Sequence, residues 1–353
     1  VTAGAAASPK HRAASDGLSL LEDVYELPLP LPLHHGGTLE RARIGWRLHG
    51  ACDAPVVLAL GGISAHRRVF DLESPKEGWW SEVAGAGRTL DCTRVRVLGI
   101  DYLGGSGTSS GPVGPMDPVS PMGPMDNSAF PSLSTVDQAE ALRRLLDHLQ
   151  IPRLRAIVGA SYGGMVALAF AAAHGTRVEQ LLVISAADRA HPMATAWRSV
   201  QRRIVRFALA AGQPEQGLEL ARALAMTTYR SPEEFAARFA HPPRQEAGLH
   251  VFPVEDYLFA RGRDFAARYR PESFLCLSES IDLHAVDAAR IQCPTIAVAV
   301  REDQLVPIGD MRALVARLPR GQLRELSSPH GHDAFLKEAG QLQPIFEPLY
   351  GET

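Results

Sequence analysis

The sequence predicts an α/β protein: a mainly parallel sheet covered by helices on both faces, with a helical lid inserted between two parts of the sheet. Three observations carry this. Short apolar runs alternate with helix-period segments from about residue 55 to residue 187. Strand-like runs then vanish over 188–286, where helical periodicity dominates. They return with PTIAVAV from Pro294 and LRELSS from Leu323. Short apolar strands separated by helices belong to a sheet buried on both faces.

Residues 1–17 are rich in Ala, Ser and Gly and have no apolar stretch of signal-peptide length, so a disordered tail is expected there. The core is expected over 18–187 and 287–353, and the lid over 188–286. PVVLALGG from Pro55, RVRVLGIDYLGG from Arg94, RLRAIVGA from Arg153 and QLLVISAA from Gln180 read as strands. Thr135 to Leu149 and Gly163 to His174 read as helices. The Pro-, Met- and Gly-rich stretch 111–131 reads as a long loop. Within the lid, AWRSVQRRIVRFALAAG and PEQGLELARALAMTTYR have helical period. The basic cluster Arg198 to Arg206 reads as a solvated helix face.

Composition excludes several function classes. Hydrophobic residues make up 46% and charged residues 21%, an ordinary globular profile with enough apolar material for a sizeable core. A net charge of -3 with scattered Lys and Arg argues against a nucleic-acid partner. The longest apolar run, Met165 to Ala173, is too short to span a bilayer, so no membrane partner is expected. The four cysteines, Cys52, Cys92, Cys276 and Cys293, form no CxxC pair and have no zinc-spaced histidines. They read as reduced thiols in a cytoplasmic protein, with no metal and no bound cofactor.

The chemistry is concentrated at Gly159-Ala160-Ser161-Tyr162-Gly163, a G-x-S-x-G between an apolar strand and a helical run. This is the nucleophile elbow of the α/β-hydrolase fold, in which serine sits on a sharp strand-to-helix turn. The helix N-terminus beneath it favours developing negative charge. A serine hydroxyl needs a base, and in this fold the order is Ser, acid, His. PTIAVAV leads into Asp303, which is preferred as the acid over Glu302 and Asp310. LRELSS leads into two candidate bases, His330 and His332, which spacing does not separate. The oxyanion hole needs two backbone N–H donors. Tyr162 directly after the nucleophile is one candidate, and Gly61 in the loop LALGGISAH is the other. A second glycine run, Gly105 to Gly111, looks like a dinucleotide loop. It is followed by Pro112 and Pro115 rather than by a helix, which argues against that use.

Several motifs together resemble one family, the MetX-type homoserine O-acyltransferases. Gly78-Trp79-Trp80, Gly85 to Gly87, Asp91, the run Asp101 to Pro112, Asp303 to Pro307, and Gly331-His332-Asp333-Ala334-Phe335-Leu336 carry it. The resemblance spans roughly residues 33–349 and selects His332 over His330. It implies acyl transfer from acyl-CoA, a co-substrate, to the hydroxyl of L-homoserine in methionine biosynthesis, through an acyl-serine. L-Serine as acceptor, or ester and thioester hydrolysis, are the alternatives. It further implies that Arg222 and Tyr229 hold the amino acid's carboxylate side, that Asp333 meets its amino group, and that the protein is a homodimer pairing through the lid. From the residues alone, Leu218, Arg222, Ala225 and Tyr229 share one helix face, and Asp333 also fits a helix N-cap. Succinyl-using relatives carry an arginine where Leu305 stands, which favours acetyl-CoA over succinyl-CoA. Arg67, Arg68 and Arg301 lie near the pocket loops and read as surface residues or contacts to CoA phosphate. Tyr162, Asp101 and Gly61 depart from the family's usual residues.

Overall fold

A computed structural model describes residues 10–13, 17–112 and 130–351. Nine strands form one sheet: β1 Lys10–Ala13, β2 Leu18–Glu26, β3 Arg43–Ala51, β4 Val56–Leu60, β5 Arg96–Ile100, β6 Ala156–Ala160, β7 Leu181–Ile184, β8 Thr295–Val300 and β9 Gly321–Leu326. Their order across the sheet is β1-β2-β3-β5-β4-β6-β7-β8-β9. The pairings from β5 to β9 are all parallel, and β1, β2 and β3 join antiparallel at one edge. The expected mainly parallel sheet is present. The expected disordered tail does not hold for Lys10–Ala13, which pairs with Ser19–Glu22 as the edge strand. Residues 1–9 and 14–16 lie outside the described residues, as do 113–129 of the Pro- and Met-rich stretch.

Side chains alternate between two cores, as the two-residue period of a strand requires. Leu58, Leu60, Ile157 and Val183 face one core. Val57, Ala59, Val158 and Leu182 face the other. The helix α1, Thr135–His148, and α2, Tyr162–His174, pack together on the first side. Ser134 starts α1 with a reciprocal capping box to Asp137, a device that stabilises a helix by about 1 kcal/mol. Asp137 also accepts the His34 N–H at 2.7 Å, which ties the N-terminal segment to the helix.

Between β7 and β8 the chain leaves the sheet for α3 Pro192–Ala210, α4 Pro214–Tyr229, α5 Pro232–Phe239, a short hairpin, α6 Pro253–Ala266 and α7 Pro271–Asp282. Each helix opens on proline, whose missing N–H costs nothing in a first turn. The two ends of the insertion meet. Val286 N–H donates to the Asp188 carbonyl at 2.9 Å, and Arg189 bridges to Ala285. The insertion has its own small core of Val205, Leu218, Ala221, Phe265 and Phe274. Its helices approach closely: a Cβ on Gly262 of α6 would lie 2.5 Å from the Glu219 carbonyl oxygen of α4. After β8 come α8 Ile308–Arg317, and after β9 α9 Ala334–Lys337 and α10 Ala339–Phe346. Among the described residues, no helix is long and apolar enough to cross a membrane.

Candidate active site

Ser161 sits at the carboxyl end of β6, directly before α2, with φ 54° and ψ -124°. A non-glycine residue in that region is strained and persists only when its surroundings hold it. The surroundings here are tight. A Cβ on Gly163 would stand 2.5 Å from the Leu60 carbonyl oxygen, and one on Gly159 would collide with the Gly163 backbone. Both flanking glycines are therefore required, and the turn they permit leaves Ser161 partly exposed at the floor of a cavity.

Two later strands bring its partners. Asp303 follows β8, and His332 lies in the turn after β9. His332 Nε2 is 2.8 Å from Ser161 Oγ, and Nδ1 is 2.7 Å from Asp303 Oδ2. The other Asp303 oxygen accepts the N–H groups of Leu305 at 2.9 Å and Val306 at 3.0 Å, which fixes the carboxylate's orientation. Burial acts to lower the His332 pKa, but the charge and hydrogen bond of Asp303, with Asp333 adding, hold it above the ordinary histidine value. Arg198 opposes them. The competitors are elsewhere. Glu302 accepts from Ser327 Oγ and the Ser328 N–H, and His330 is bound through Nδ1 to Arg230 at 2.6 Å. Asp310 lines the cavity without touching His332.

Tyr162 is the first residue of α2, so its N–H has no acceptor within the helix. Its hydroxyl turns into the core, 2.8 Å from Ser280 Oγ. Gly61, the other candidate donor, does not line the cavity. The structure buries Gly61 against Trp79, where a Cβ would come within 2.7 Å of the ring, and sets it off the cavity wall. Its carbonyl accepts from the Gly163 N–H and the Tyr102 hydroxyl, both at 2.8 Å. In a trans peptide the next N–H, that of Gly62, points the opposite way. Gly62 and Ile63 line the cavity instead.

The cavity, of about 180 Å³, lies between the sheet and the insertion. Arg222 and Tyr229 of α4 and Asp333 all line it. The Arg222 guanidinium lies over the rings of Tyr229 (4.9 Å) and Phe265 (4.7 Å) and donates to the Tyr229 hydroxyl at 3.1 Å. Among the described residues no carboxylate pairs with it. Asp333 occupies the N-cap position of α9 but caps nothing, and its carboxylate is 3.3 Å from Arg230 Nε. Arg198 departs from the expected solvated face: Arg198 and Arg202 turn inward and share the Asp282 carboxylate, and Arg198 lines the cavity. Arg203 and Arg206 of the same cluster are exposed as expected. The i, i+4 spacing of Arg198 with Arg202 was the available signal. Arg67, Arg68 and Arg301 do not reach this cavity, whereas Leu305 does.

Among the described residues no group of His, Cys, Asp and Glu side chains is arranged to hold a metal. The model for the α/β-hydrolase-fold family matches residues 55–339. The chain is 44% identical to a homoserine O-succinyltransferase of Xanthomonas campestris pv. campestris, over 91% of this chain and 82% of that one. It is 36% identical to a homoserine O-acetyltransferase of Thermus thermophilus, over 77% and 72% of the two chains. In fold it matches the crystal structure of homoserine O-acetyltransferase from Bacillus anthracis with a TM-score of 0.81, 16% identity, and coverage of 95% and 98%. With a serine, histidine and aspartate in contact at the elbow and these relatives over most of its length, the chain belongs to the homoserine O-acyltransferase family of the α/β-hydrolase superfamily.

Proposed function

We propose that the protein transfers an acyl group from an acyl-CoA thioester to the hydroxyl of L-homoserine, a step of methionine biosynthesis. The observation that carries this is that Arg222, whose guanidinium pairs with no carboxylate among the described residues, and Asp333 both line the cavity that holds Ser161. A buried-side cation and a carboxylate in one pocket match the carboxylate and ammonium of a free amino acid, and charged hydrogen bonds of this kind fix orientation. Ser161 attacks the thioester carbon while His332 takes its proton. The C–O bond to serine forms, the C–S bond breaks, and the thiolate leaves with the proton from His332. The amino acid's hydroxyl then gives its proton to His332 and takes the acyl group, which restores Ser161. The N–H groups of Tyr162 and of the Gly62–Ile63 segment support the oxyanion in both steps.

Leu305 on the cavity wall supports acetyl as the acyl group. A second reading, succinyl, is favoured by Arg198, a cation that lines the cavity from the inserted helix α3 and would meet a terminal carboxylate. Exposed apolar side chains on the inserted helices, Val200, Phe207 and Leu220, support pairing of two copies through this region. Four unpaired thiols support a reducing, cytoplasmic compartment. The test is CoA release from acetyl-CoA and from succinyl-CoA, each with homoserine, with L-serine and with water alone. Release that depends on homoserine supports the reading; equal release with water replaces it by a hydrolase.

A further inference from the structure

A second cavity, of about 270 Å³, lies beside the first. Ile63, Ser64 and Ala65 line both, so one short segment separates them. The second cavity is also lined by Arg67, Arg68 and Arg268 together with the glycine run around Ser106. The cavity is lined by three arginines and one carboxylate, Asp101, and that carboxylate is sealed. It is 2% exposed, and it accepts from the N–H groups of Arg67 and Thr108, both at 2.8 Å, and from the Arg67 guanidinium at 2.6 Å. Arg67 is thereby an anchor, held also by Glu22 at 2.6 Å. The other two cations are available. Arg68 pairs with Glu77, a partner more than half exposed, and an exposed pair is cheap to exchange. Arg268 has no carboxylate partner among the described residues, its Nε resting on the Asp264 carbonyl. Gly107 packs so closely on Asp101 that a Cβ there would collide with the carboxylate, and the loop backbone itself forms the wall.

We infer that this cavity binds the phosphate groups of the thioester donor. The inference rests on the acyl-CoA reading given above. A CoA thioester carries its reacting carbon at one end of a flexible arm and its phosphates at the other, so a donor whose carbonyl sits at Ser161 must place those phosphates outside the first cavity. The second cavity is the adjoining space, and its cations suit phosphate oxygens, for which guanidinium is the matching donor. The glycine run that fails as a dinucleotide loop at a helix N-terminus serves here as one wall of an anion site built mainly by side chains.

The test compares acyl-CoA with the S-acyl pantetheine thioester, which has the same reacting end and no phosphate. The double variant Arg68→Ala/Arg268→Ala should reduce the preference for the CoA thioester, measured as the ratio of kcat/KM values, by about tenfold for each guanidinium removed. A ratio equal to that of the wild type overturns the assignment. Calorimetry needs no turnover: adenosine 3′,5′-bisphosphate should bind the wild type and lose affinity in the double variant, and equal affinity in the two overturns the site. Inorganic phosphate binding as tightly as the bisphosphate would make this a free-phosphate site and overturn the donor assignment. Bisphosphate binding that the variant abolishes, in a protein that turns over neither thioester, would keep the site and sink the acyl-CoA reading.

Discussion

Asp303 meets His332 with one carboxylate oxygen, at 2.7 Å from Nδ1, while its other oxygen is held by two backbone N–H groups. The carboxylate is therefore fixed before the histidine is charged, and its charge holds the His332 pKa above the ordinary value of 6.5 despite burial. The neutral imidazole is the base, so activity should be lost as pH falls through that raised pKa. The acidic limb of kcat/KM should lie above 6.5 when followed from about pH 5 to about pH 9. Asp303→Asn should move the limb downward and lower turnover by roughly 10⁴-fold, because the imidazole loses both its counter-charge and its tautomer. A limb that stays in place in the Asn variant would show that Asp303 is not what raises it.

The nucleophile assignment predicts a covalent intermediate. Mass spectrometry of the enzyme mixed with acyl-CoA alone should show one added acyl group. Ser161→Ala should lack it and lose about 10⁴-fold or more in turnover. Retention of the acyl mass in the alanine variant would place the nucleophile elsewhere.

Arg222 touches the cavity from the inserted helices and makes no contact with Ser161, His332 or Asp303. Arg222→Ala should therefore raise the KM for homoserine, by about 30-fold or more if the charged pair contributes about 2 kcal/mol or more, and should spare the acylation half-reaction, followed as the first burst of thiol. Equal losses in both half-reactions would mean that its stacking on Tyr229 and Phe265 supports the insertion rather than the substrate.

The triad was legible because each member follows an apolar strand and the order along the chain is that of the fold. Buried parallel strands such as Ala156–Ala160 announce themselves by unbroken apolar runs. The antiparallel edge does not. Residues 18–26 carry Glu22, Asp23 and Glu26, and Glu22 is tolerated because Arg47 and Arg67 reach it from other elements. Arg198 was misread for the same reason: its partner Asp282 lies 84 residues away. Charge patterns within a segment predict solvation, and only tertiary contact shows which charges are turned inward. Gly61 packs against Trp79 while Gly62 lines the cavity, a difference between adjacent glycines that only tertiary packing displays.

Whether the acyl-enzyme passes its group to an amino acid or to water depends on how well the inserted helices exclude water. An acyl-serine in an open cleft hydrolyses, and a transferase must shield it. The cavity is closed on one side by residues of α3, α4 and α7, among them Arg198, Tyr229 and Phe274. Of these helices, α4 is backed by α6 through the close approach of Gly262 to the Glu219 carbonyl. Thiol release in stopped flow should thus show one burst with acyl-CoA alone and become steady on adding homoserine. Gly262→Val forces α6 away from α4, an overpacking change that costs about 1–3 kcal/mol. It should lower Tm and raise the steady release seen without any amino acid, while the burst from Ser161 persists. Steady release at the homoserine rate in the wild type, with no acceptor present, would show that water is the natural acceptor and that the enzyme is a thioesterase.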